Sequence, residues 1–269
     1  MINKKNKLII TNWKMQLTDS DAEKLTRQII HELKTSADTN LDKSNIEIVI
    51  SPSMISLKSV STVIKEHQFD FPEKLSLGAQ NVFYHEKGSY TGETSPLQLA
   101  EFNVKYVIIG HSERRKYIKE SDEEMNLKTK ACLTNNLIPI VCVGETFEER
   151  QSGKTDLVLI KQITAAMQDI DIGKDKKLVI AYEPVWVIGT GQAIKPEDAF
   201  HATQVIKQTL KEFFDQPQIN DQIYTIYGGS VDAENINNFI KSELIDGALI
   251  GGASLSAEKF LPLIKAVIS

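Results

Sequence analysis

The chain has 269 residues, carries 31 Lys and Arg against 36 Asp and Glu for a formal charge of −5, and is 41% hydrophobic. This composition excludes disordered, collagen-like and low-complexity classes. Its mild acidity argues against nucleic acid or an anionic membrane as partner, since either needs a basic patch.

At the amino terminus, MINKKNKLIITNWK holds too short an apolar run for a signal-peptide core. No run along the chain approaches the ~20 residues of a membrane-spanning helix. Cys132 and Cys142 make neither a disulfide framework nor a metal-ligand spacing, so a reduced, cytoplasmic chain with no metal is expected. Short runs rich in Ile and Val predict strands at residues 8–11, 46–51, 75–79, 106–110, 138–143, 178–182, 223–227 and 247–250. Each is too short for a helix and apolar enough to be buried on both faces. The segments between them have helical spacing. Ser20 with Glu23, Ser95 with Gln98, and Ser121 with Glu124 read as capping boxes, and Pro96 takes a first helical position. Pro196 does the same in KPEDAFHATQVIKQTLKEF, where Ala199, Thr203, Ile206 and Leu210 share a stripe. A last helix starts near Ser256 and carries Phe260, Leu263, Ile264 and Val267.

Eight strands alternate with eight helices at roughly 34 residues per unit, which suits a βα repeat of ~30 or more. No Pro/Ser linker divides the chain. The expected fold is therefore α/β, a (β/α)8 barrel of eight parallel strands with outer helices, forming one domain over residues 1–269. An open, doubly wound sheet is the alternative.

A barrel puts its chemistry just after the strands, on the carboxyl-terminal face. Asn12-Trp13-Lys14 follows the first strand, Gln80-Asn81 the third and Gly110-His111-Ser112-Glu113-Arg114 the fourth. Glu183 and PVWVIGTG follow the sixth, Gly228-Gly229-Ser230 the seventh and Gly251-Gly252 the eighth. Glu183 is the candidate general base, because Pro184 keeps residue 183 extended at the strand end. An isolated Glu there would ordinarily be solvated. The apolar segment 185–188, between Pro184 and the Gly189-Thr190-Gly191 turn, reads as a lid with stiff middle and hinged ends, or else as a continuation of the strand. His111 opens a helical stretch, which leaves a neutral ring able to donate to a carbonyl; His31, His67, His85 and His201 read as surface residues. The segment 110–114 is a poor nucleophile elbow, since Arg114 stands where the final Gly belongs. The two Gly pairs suit a phosphate gripped by backbone N–H groups, and Lys14 offers the cation.

Together, Asn12-Trp13-Lys14-Met15, Gly78-Ala79-Gln80-Asn81, Tyr90-Thr91-Gly92-Glu93, Gly110-His111-Ser112-Glu113-Arg114, Cys142-Val143-Gly144-Glu145, Tyr182-Glu183-Pro184-Val185-Trp186, Ile188-Gly189-Thr190-Gly191, Tyr227-Gly228-Gly229-Ser230-Val231 and Gly251-Gly252-Ala253-Ser254-Leu255 resemble the triosephosphate isomerases, in order over essentially the whole chain. The resemblance implies interconversion of dihydroxyacetone phosphate and D-glyceraldehyde 3-phosphate without cofactor or metal. It implies that Glu183 shuttles the proton, that His111 polarises the carbonyl as a neutral imidazole, and that Lys14 offsets phosphate and enediolate charge. Asn12 would help hold the substrate, and Glu113 matches a further glutamate of the site. Gly189, Ser230, Gly251 and Gly252 match phosphate-gripping N–H groups, while Tyr227 and Ser230 match residues that latch the closed lid. The loop of residues 81–94 matches one that inserts into a second subunit, with Thr91 reaching the neighbour's site and Glu93 and Arg114 pairing across the contact, so a homodimer is implied.

Val187 departs from the alanine common in the family's lid, and residues 35–45, 66–74 and 170–177 carry extra length on the face away from the chemistry. Two other readings of the barrel are another phosphosugar isomerase or epimerase and a non-catalytic binding role.

Overall fold

The computed structural model describes residues 5–35, 41, 44–68, 70–71, 74–188 and 193–268. Strands β1 (Lys7–Thr11), β2 (Ile46–Ile50), β3 (Leu75–Ala79), β4 (Val104–Ile109), β5 (Ile138–Val143), β6 (Leu178–Tyr182), β7 (Ile223–Tyr227) and β8 (Gly247–Ile250) pair in parallel and in chain order. The register Leu8↔Gly247 to Thr11↔Ile250 joins β1 to β8 and closes the barrel. Five strands match their expected bounds; β1 starts a residue earlier, β2 stops before Ser51, and β4 runs from Val104 to Ile109.

Each strand has two apolar faces because each is covered twice. Leu8 and Ile10 of β1, Ile108 of β4, Ile140 of β5 and Val179 of β6 fill the barrel with Val49, Tyr106 and Leu249. Their neighbours Ile9, Ile48, Val107, Val141 and Ile180 point outward and pack under the helices. This period-two division of an all-apolar run is the signature of a buried parallel strand.

The helices are α1 (Asp19–Thr35), α2 (Leu57–Glu66), α3 (Pro96–Glu101), α4 (Asp122–Thr134), α5 (Phe147–Gln151), α6 (Thr155–Met167), α7 (Pro196–Leu210), α8 (Gln216–Asp221), α9 (Ile236–Ile240) and α10 (Ala257–Ile268). Ten stand among the described residues where eight were expected, because β5 to β6 and β6 to β7 each carry two. The boxes at Ser95 and Ser121 form as expected. The one at Ser20 does not: α1 starts earlier, the Thr18 hydroxyl accepts the Asp21 N–H at 3.2 Å, and Ser20 lies inside the first turn. In α7, Ala199, Thr203, Ile206 and Leu210 are all buried against the barrel. Among the described residues no helix is long and apolar enough to cross a membrane.

Candidate active site

β1 ends at Thr11, and the chain turns through Asn12, buried Trp13 and Lys14. Lys14 has φ +53°, a left-handed conformation that residues with side chains rarely adopt. Two bonds hold it there: its N–H donates to Asn12 Oδ1 at 3.1 Å, and Gln80 Nε2 donates to its carbonyl at 3.0 Å. The same Gln80 nitrogen donates to the Ser51 carbonyl at 3.0 Å, so one amide ties the ends of β1, β2 and β3 together. Lys14 Nζ donates to Glu113 Oε1 at 2.7 Å. Both partners of that pair are partly exposed, so the pair is weak and the ammonium can be shared with an incoming anion.

After β4, Gly110 has φ +67°, and a Cβ on it would come within 1.9 Å of Met125 Sδ. Only glycine makes this corner, and the corner delivers His111 to the mouth. Helical backbone begins at Ser112 and passes into a π turn over Arg114–Ile118, so His111 does stand at a helix start. His111 is buried, and its Nδ1 accepts the Glu113 N–H at 3.2 Å. With Nδ1 accepting, Nε2 is the ring nitrogen that faces Glu183 and the cavity.

Glu183, at the end of β6, is 2% exposed. Its Oε2 accepts the Ser112 N–H at 2.9 Å. Its Oε1 lies 3.1 Å from His111 Nε2 yet has no aligned hydrogen bond, so one oxygen is anchored and the other is not. The backbone beneath is fixed by Gly144, where a Cβ would fall 1.7 Å from the Glu183 carbonyl oxygen. The Cys142 thiol, buried in the barrel beside Glu183, is pushed well above its usual pKa by burial and by that carboxylate.

The segment after Pro184 is not a continuation of β6. Val185–Val187 form a 3-10 turn, and Trp186 Nε1 donates to Glu145 Oε1 at 3.0 Å. Glu145, fully buried, also accepts the Tyr182 hydroxyl at 3.2 Å, and burial raises its carboxyl pKa. Ile188 reaches the cavity, whereas Gly189, with residues 190–192, lies outside the described residues. Tyr227 is buried with its ring stacked on Phe239 at 4.2 Å. Burial raises its pKa, opposed by the backbone of Ile194.

Asn12, Lys14, His111, Glu183, Ser230, Gly251 and Gly252 line one cavity of about 280 Å³ with Ile188, Gly228 and Gly229. Glu113 touches it through Lys14, and Tyr227 stands behind Gly229. Thr91 and Glu93 are elsewhere, exposed on the loop after β3. That loop has no helix or strand but is not shapeless: Phe83 N–H donates to the Thr94 carbonyl at 2.8 Å, and Tyr90 packs against Phe83 and stacks on His85. Arg114 Nε donates to Glu120 Oε1 at 2.6 Å within the chain, and Lys128 joins the same carboxylate to Asn81. Of the remaining histidines, His31, His85 and His201 are exposed, while His67 is half-buried against Asp70. Gln80, Ser112 and Glu145 went unassigned from sequence. Glu145 stands two residues past β5 as Glu183 stands one past β6, and that parallel was the available signal. Among the described residues no group of three or more His, Cys, Asp or Glu is gathered to hold a metal.

A buried carboxylate beside an imidazole, a lysine and glycine-rich turns, all at the carboxyl ends of barrel strands, define a (β/α)8-barrel enzyme built for proton transfer on a small anionic substrate. The triosephosphate isomerase family profile matches residues 7–267. The chain is 42% identical to the triosephosphate isomerase of Dictyoglomus thermophilum over 97% of this chain and 99% of that one. It is 43% identical to that of Caldanaerobacter subterraneus subsp. tengcongensis (96% and 98%) and 39% to that of Clostridium tetani (96% and 95%). The chain belongs to the triosephosphate isomerase family.

Proposed function

We propose that the chain interconverts dihydroxyacetone phosphate and D-glyceraldehyde 3-phosphate, with Glu183 as the base that moves the proton between C1 and C2. The observation that carries this reading is the convergence of Glu183, His111 and Lys14 on one cavity that has Ser230, Gly251 and Gly252 in its wall. The phosphate is gripped at that wall and by Gly189 of the lid, with Lys14 as counter-charge. His111 donates its Nε2 proton to the substrate oxygen, and Asn12 helps hold the substrate beside it. Because Glu183 Oε1 lies 3.1 Å from the same Nε2, bound substrate takes that place and moves the carboxylate over the carbons, breaking the bond to Ser112 N–H. Once closed, the lid excludes water and strengthens these charges. Tyr227 and Ser230 latch it, a reading that the Ile194 backbone beside Tyr227 supports.

The active form is a homodimer formed through the loop of residues 81–94, with Thr91 at the neighbour's site and Glu93 and Arg114 across the contact. Exposed apolar side chains around that loop support this: Met15 is 95% exposed, Ile55 77%, Tyr117 68% and Ile118 61%. A reduced, cytoplasmic setting fits two free, buried cysteines.

The test is a coupled assay with glyceraldehyde 3-phosphate beside pentose phosphates. Glu183→Gln keeps the shape of the side chain and removes the base, so the rate should fall by at least ~10²–10⁴. Near-parental turnover in that variant, or faster turnover of a pentose phosphate, would contradict the assignment.

A further inference from the structure

Glu183 stands between two glycines, one just after β5 and one just after β7. On the β7 side a Cβ on Gly228 would come within 2.9 Å of Glu183 Cγ, and the Gly228 N–H donates to the Tyr182 carbonyl at 2.7 Å. On the β5 side the Glu183 N–H donates to the Val143 carbonyl at 2.7 Å, and a Cβ on Gly144 would meet both the carbonyl and the Cα of Glu183. Gly144 lies beyond the last β4–β5 pair, Ile109↔Val141, because β4 turns off at Gly110 to deliver His111. A side chain takes the place of a strand there. Gln162, on α6, accepts the Gly144 N–H on Oε1 at 2.8 Å and donates from Nε2 to the Gly144 carbonyl at 3.3 Å. An amide offers a donor and an acceptor side by side, as a neighbouring strand would.

We propose that Gln162 is a positioning residue for this reaction: its amide clamps Gly144, and Gly144 sets where the Glu183 carboxylate stands. The inference rests on the isomerase reading above. Gln162 lies outside the cavity, and Lys14, Ser230, Gly251 and Gly252 reach that cavity from β1, β7 and β8. Loss of the clamp therefore lets the base drift while the phosphate-gripping wall stays as it is. Proton transfer needs the base within hydrogen-bond reach of the proton it takes, so the drift lowers kcat and leaves binding alone.

The measurement is kcat against KM in the coupled assay, with inorganic phosphate as a competing anion that reads the wall by itself. Gln162→Met keeps the length of the side chain and removes both bonds. It should lower kcat about tenfold, within the ~10²-fold that a misplacement of 1 Å can cost. Its KM and its inhibition by phosphate should match the parent's. Gln162→Glu keeps an acceptor for the Gly144 N–H but, once ionised, has no donor for the carbonyl, so its kcat should fall between the two. Urea unfolding reads any loss of stability separately, and if Gln162→Met does not fold, Gln162→Glu decides. Parental kcat in the folded variants would overturn the proposal and leave Gln162 a tie between helix and strand. So would a KM and a phosphate inhibition that worsen in step with kcat, since the damage would then be general. A parent without turnover of triose phosphates would instead sink the functional reading beneath it.

Discussion

Lys14 brings its ammonium to the cavity from a backbone conformation that costs about 1–3 kcal/mol for a residue with a side chain. The cost is offset locally by Asn12 Oδ1 on its N–H and by Gln80 Nε2 on its carbonyl. Gln80 touches no substrate, yet it decides where the cation points. Gln80→Leu should leave the barrel folded, at a loss of about 1–3 kcal/mol for the Lys14 carbonyl that loses this donor, since the Ser51 carbonyl keeps the Trp13 N–H. The same change should lower kcat/KM by about 10²-fold, because the ammonium is displaced. Circular dichroism and the coupled assay separate the two effects, and unchanged kinetics would show that Asn12 alone suffices. At this scale the sequence is readable where a local rule fixes a residue. Pro184 announces an extended Glu183, and a helix start announces His111. Gln80 is not readable, because its partner is a backbone carbonyl 66 residues away.

The elements that were hard to read are the short ones. α5 buries none of its residues and so shows no apolar stripe, and α8 buries only Ile219. Their signals are caps, Thr146 with Glu149 and Asp215 with Gln218, and a cap without a periodic face is easily passed over. Glu145, just before α5, nonetheless holds Trp186. Burial raises the Glu145 carboxyl above its ordinary 4.5, against the pull of Trp186 and Tyr182. As the pH rises from 4.5 through the raised value, the unfolded chain loses this proton before the folded one does. The folded state therefore binds more protons in that window, and Glu145 makes stability fall as pH rises. Glu145→Gln does not titrate. The difference in unfolding free energy between variant and parent should shift in the variant's favour across that window and then level off. Urea unfolding at a series of pH values from 4.5 upward measures it, and a pH-independent difference would refute the argument.

The whole barrel was legible because eight runs of the same kind, each apolar on both faces, allow few arrangements once strands alternate with helices. Its division of labour follows from strand order. Neighbouring strands β1 to β4 lead to Met15, Ile55, the loop of residues 81–94, Tyr117 and Ile118, so these exposed apolar groups lie along one continuous half of the rim. Strands β6 to β8 lead to the lid and to the Gly-rich wall of the cavity. Lys14 and His111 come from the first half and Glu183 from the second, so the cavity spans the two. A rim so apolar is poorly matched to water and well matched to a second copy of itself. Tyr117→Asp puts a charge on its β4 end without touching Asn12, Lys14, His111 or Glu183. Sedimentation should show the parent as a dimer and this variant dissociating to monomers at concentrations where the parent does not. Its activity should fall with dissociation if the proposed reach of Thr91 into the neighbour's site holds. A parent that sediments as a monomer, or a variant that stays dimeric with full activity, would remove the dimer from the account.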